Sequence, residues 1–104
     1  MRMLLQVNLP HNPFNAAVKD GSAGPKIKRI LQDAKPEAVY FTEIDGQRCA
    51  MLLVNVEDAS QIPAYAEPWF LTFDADVKFR PVMTADDLVR ANLEALGKRW
   101  SSGG

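Results

Sequence analysis

Ala38-Val39-Tyr40-Phe41-Thr42-Glu43-Ile44, then Asp45-Gly46, then Cys49-Ala50-Met51-Leu52-Leu53-Val54-Asn55-Val56: this stretch decides the fold. The first run is β-branched and aromatic, as strands are. Asp-Gly supplies two residues that tolerate the positive φ of a tight hairpin turn. The second run places Ala50, Leu52 and Val54 on one face and Cys49, Met51 and Leu53 on the other, so it is apolar on both. A strand of that kind sits inside a sheet with neither face left to water. The pair predicts two antiparallel neighbours.

Upstream, Met3, Leu5, Val7 and Leu9 alternate with Leu4, Gln6 and Asn8, which predicts a half-buried strand ending at Pro10. Asn12-Pro13 reads as a helix cap followed by proline in the first turn, with a short helix over 13–19. Asp20 to Pro25 interrupts it, and Lys26 to Ala34 resumes helical spacing through Ile27, Ile30 and Leu31 until Pro36. The segment Gly21-Ser22-Ala23-Gly24 looks like a phosphate cradle only superficially, because it joins two helical pieces and follows no strand. Downstream, Asp58-Ala59-Ser60-Gln61 has the two ends of a capping box and starts a helix reaching about Thr72. Val77-Lys78-Phe79-Arg80 alternates as a fourth strand closed by Pro81. Thr84-Ala85-Asp86-Asp87 caps a last helix whose Val89, Leu93, Leu96 and Trp100 form one apolar stripe, expected to dock on the body or on a partner.

The predicted order β-α-β-β-α-β plus a C-terminal helix is a split βαβ arrangement: an α+β, ferredoxin-like domain over residues 1–100 with a four-stranded antiparallel sheet, followed by a flexible tail over 101–104. Both connecting helices lie on one sheet face, leaving the other bare. Removing about 400 Å² of apolar surface there would gain on the order of 10 kcal/mol before ordering costs. The expectation is therefore a homodimer through the open sheet face.

The chain has 104 residues, 47% of them apolar and 24% charged, and a net charge of -1, values of an ordinary globular domain. The balance of charge lacks the footprint of a nucleic-acid binder. One cysteine and one histidine supply neither an internal disulfide nor a Cys/His zinc cage. No stretch approaches the length of a membrane span, and the N-terminal apolar run is too short for a signal peptide, so a cytoplasmic protein with no cofactor is expected.

The hairpin, the Asp58-Ala59-Ser60-Gln61-Ile62-Pro63 and Glu67-Pro68-Trp69-Phe70 segments, and the strand Val77 to Val82 resemble the dimeric α/β-barrel superfamily, with muconolactone isomerase-like and EthD-like proteins among its members. The resemblance covers residues 2–83 in element order and implies the fold and dimerisation; the isomerase's catalytic residues do not map one by one. A tighter resemblance, through residues 35–43 and 60–70, is to small bacterial proteins of unknown function, some carrying a pantothenate synthetase label. That ligase chemistry needs a larger nucleotide-binding fold, and this chain has no glycine-rich phosphate loop and no His-x-Gly-His pair.

Two residues are candidate acid–base groups. His11 follows the first strand and precedes a helix start, a place where an imidazole could act as an acid or base. Glu43 ends the second strand, where burial would make its carboxylate a base. The candidate ligand-binding residues are Tyr40, Glu67, Trp69, Phe70 and Arg80: a phenol, a carboxylate, two aromatic walls and a guanidinium suited to an anion. Each has a structural alternative: a solvated loop histidine, a rim acid, a core aromatic, an interprotomer ion pair. Gln6, Asn8 and Asn55 add polar groups beside Tyr40, and Cys49 reads as a small buried hydrophobe. Two functions follow. One is a cofactor-free isomerase or related enzyme acting on a small carbonyl or lactone compound; the other is a non-catalytic dimeric small-molecule-binding or accessory module.

Overall fold

A computed structural model describes residues 1–101 and contains four strands and five α-helices. The strands are β1 (Arg2–Leu9), β2 (Ala38–Ile44), β3 (Gln47–Asn55) and β4 (Asp76–Pro81). The helices are α1 (His11–Asp20), α2 (Ala23–Ala34), α3 (Ile62–Phe73), α4 (Ala85–Arg90) and α5 (Leu93–Ser101). Every strand pairing is antiparallel, in the order β2-β3-β1-β4.

Local chemistry accounts for most of the boundaries. Asp45 and Gly46 adopt φ of 53° and 77°, the two left-handed positions that the tight β2–β3 turn requires. The Asp58 carboxylate accepts from Ser60 N–H while the Gln61 side chain accepts from Asp58 N–H, so the expected capping box forms and launches a 3-10 turn, Ala59–Gln61, into α3. Thr84 and Asp87 make the same reciprocal pair at α4.

Two expectations are corrected. First, α1 begins at His11 with Pro10 in the cap position, so Asn12 caps nothing: β1 runs to Leu9, and Pro10 alone makes the turn into the helix. The following break is also shorter than expected, because Gly21 takes φ 81° and reverses the chain within two residues. Second, the last helix is two helices, since Asn92 adopts φ 56° between α4 and α5. Asn is among the few residues that accept this conformation cheaply. Ser101 closes α5, and the rest of the expected tail, 102–104, lies outside the described residues.

The core lies on one side of the sheet. Met3, Leu5, Val7 and Leu9 of β1 and Ala50, Leu52 and Val54 of β3 meet Phe14 and Ala17 of α1, Ile30 of α2, and Trp69 and Phe73 of α3. The Phe14 and Phe73 rings lie 5.0 Å apart and Trp69 and Phe73 6.3 Å, within the range of favourable aromatic pairing. All three connecting helices therefore cover the same face.

The α4–α5 segment covers nothing. Val89, Leu93, Leu96 and Trp100 are exposed, Trp100 to 70%, so the stripe expected to dock finds no partner among the described residues. The radius of gyration is 18.0 Å and the principal extents are 62 × 28 × 20 Å, against about 13 Å for a compact chain of 100 residues. The segment is an arm projecting from the end of β4.

Candidate functional site on the open sheet face

The register defines a grid on the face that no helix covers, because directly paired residues project to the same side. One row runs Ala38, Leu53, Leu4, Arg80; the next Tyr40, Met51, Gln6, Lys78; the third Thr42, Cys49, Asn8, Asp76. The middle strands thus contribute an apolar floor of Leu4, Leu53 and Met51 with amides beside it. The edge strands contribute a phenol on β2 and two cations on β4.

Gln6 is the one buried polar side chain of the described residues, 6% exposed, and its Nε2 donates to Asn8 Oδ1 at 3.3 Å. Tyr40 is 71% exposed at the β2 edge. Lys78 and Arg80 are also exposed, and neither joins an intrachain ion pair among the described residues. Cys49 is buried, and that burial pushes its thiol above the ordinary range, which keeps it protonated and a poor nucleophile.

The remaining expected residues lie elsewhere. His11 is exposed at the start of α1. Glu43 pairs with Arg48, and Arg48 with Leu9, which places Glu43 on the helix-covered side at the sheet's end. Its Oε2 accepts from Gly46 N–H at 2.9 Å, so this carboxylate secures the hairpin turn. Arg48 missed attention in the sequence: it donates to Asn15 Oδ1 at 2.8 Å and lies 4.7 Å from the Phe14 ring centroid, tying β3 to α1. Trp69 is fully buried in the core and so walls no pocket. Phe70 is partly exposed on α3 and lines neither major cavity. Glu67 lines an open groove of about 940 Å³ between α2 and α3, with Lys26, Arg29, Asp33 and Leu71. A second cleft of about 680 Å³, lined by Met1, Arg2, Glu37, Met83 and Asp87, sits where the arm leaves the body. Of the seven expected residues, Tyr40 and Arg80 lie on the open sheet face, joined there by Gln6, Asn8 and Lys78.

No family model matches the chain, and no curated protein matches it. Among the described residues no helix is long and apolar enough to cross a membrane. Nor does any group of three or more His, Cys, Asp or Glu side chains there form a metal-binding cluster.

Proposed function

We propose that this chain is a ferredoxin-like, dimeric protein that holds a small, oxygenated, anionic organic molecule on the open sheet face and does not transform it. Read from the other edge, the strand order β4-β1-β3-β2, with all connecting helices on one side, supports the split βαβ arrangement. The observation that carries the binding reading is the composition of the bare face. An apolar floor, a buried amide and a phenol share the face with Lys78 and Arg80, two cations that make no ion pair among the described residues. Arg80 offers a planar fork for a carboxylate, Lys78 a second charge, and Gln6 and Tyr40 partners for hydroxyl or carbonyl oxygens.

The binding reading is preferred to the isomerase because His11 and Glu43 stand away from this face, and Glu43 is engaged by the turn. Thermal-shift screening against small carboxylates, hydroxy acids and lactones tests it. A ligand present at 100 times its Kd stabilises by about 2.7 kcal/mol, a readily measured rise in Tm. Arg80→Gln should abolish the rise for anionic ligands. A panel without any shift, or a shift that Arg80→Gln leaves intact, would refute the assignment, and conversion of a bound lactone would restore the enzyme.

A further inference from the structure

Two large apolar surfaces have no partner among the described residues: the floor of the open face and the stripe of the arm. We propose that two copies exchange arms, each α4–α5 segment lying across the open sheet face of the other copy and roofing the site there. For its ligand this rests on the binding reading above; the contact between copies does not.

The arm needs a partner on physical grounds. Its helices have six and nine residues, and isolated helices under about 12–15 residues are marginal in water. Their regularity requires tertiary packing, and the face available for it carries Val89, Leu93, Leu96 and Trp100.

The dimensions agree. At 1.5 Å per residue the two helices span about 22 Å, close to the roughly 26 Å of an eight-residue strand such as β1. Leu93, Leu96 and Trp100 meet a floor of the same character in Leu4, Met51 and Leu53. Because a two-fold exchange counts every contact twice, burying both stripes and both floors removes on the order of 1,000 Å² or more, the scale of a stable dimer.

A second copy, and not the arm's own body, is the occupant because the hinge is short and fastened on both sides. Val82 N–H donates to Arg2 C=O and so continues the β4 pairing with β1. Two residues on, Thr84 is already locked to Asp87. Arg90 pairs with the Asp87 carboxylate one turn on, which stiffens the base of the arm. Met83 alone remains to reverse the chain, and a hinge too short to fold back favours exchange between copies.

Sedimentation and light scattering of the full chain at micromolar concentration should show a dimer. Leu93→Glu/Leu96→Glu should weaken it by at least about a hundredfold, as loss of central apolar anchors does. Those side chains are exposed in their own chain, so the body should stay folded, and the circular dichroism should lose no more than the helix of the released arm. For proximity, a Leu96→Cys chain and a Leu53→Cys chain, both carrying Cys49→Ala, should form a disulfide-linked pair when mixed and oxidised. A monomeric chain, a dimer indifferent to the paired glutamates, or a monomer sealed by an internal disulfide when one chain carries both cysteines would each overturn the exchange. The two proposals fail separately. An arm-dependent dimer that binds no anion supports the exchange and sinks the binding reading, whereas Arg80-dependent binding by a dimer indifferent to the arm does the reverse.

Discussion

Trp69 shows how a single residue can look functional in the sequence and be structural in the fold. Its Glu-Pro-Trp-Phe setting suits either a pocket wall or a core plug; the side chain is fully buried against Phe73, and Nε1 has no hydrogen-bond partner among the described residues. Trp69→Ala should cost about 3–5 kcal/mol in denaturant unfolding, the usual result of emptying a large core site. Trp69→Phe should cost much less, because it also removes a buried donor that pairs with nothing. A Trp69→Phe loss as large as that of alanine would mean that the N–H is satisfied after all. Cys49 is the chemical counterpart. Its buried thiol, with pKa raised by that burial, should react with aromatic disulfides more slowly than free cysteine at pH 8, and urea should release the rate.

At the scale of elements, turn and cap chemistry was legible because it is local. Asp45-Gly46, the Asp58–Gln61 capping box and the Thr84 cap need only neighbouring atoms, and all three form as expected. Gly46→Ala should destabilise by about 1 kcal/mol. A Cβ there would meet nothing within 4 Å, so the whole cost is conformational, and a neutral result would show that the turn relaxes. What the sequence concealed depends on competition between distant parts. The periodicity from Val89 to Trp100 spans a break at Asn92, because helical spacing is the same whether or not one residue flips to positive φ. It also marks a stripe as apolar without saying what covers it. Glu43 was legible as a carboxylate at the sheet rim, but its capture by Gly46 N–H depends on turn geometry. At the start of α4, hydrogen bonds from Thr84 hold the Asp87 carboxyl below the usual aspartate range. A lowered native pKa contributes stability fully present above the ordinary Asp value and lost as pH falls through the lowered one. The cap should therefore persist at pH 5 and loosen only in stronger acid. Amide exchange across 84–90 would follow this, and Asp87→Asn should remove that residue's share of the acid step.

For the whole molecule, association and stability are coupled if the bare face and the arm are buried only between copies. The Tm should then rise with protein concentration over the micromolar range, and a concentration-independent Tm would count against a folded dimer as the stable species. The two ends of the sheet have a further consequence for how far association can proceed. β4 closes one edge with Lys78, Arg80 and Pro81, a charged border interrupted by a residue lacking an N–H, whereas β2 ends the sheet with exposed Tyr40 and Phe41. Indefinite fibre growth by strand addition needs every unit to be adhesive at both ends. This one is adhesive at a single end, so an accidental β2-to-β2 pairing consumes both free edges at once and leaves a terminated pair instead of a seed.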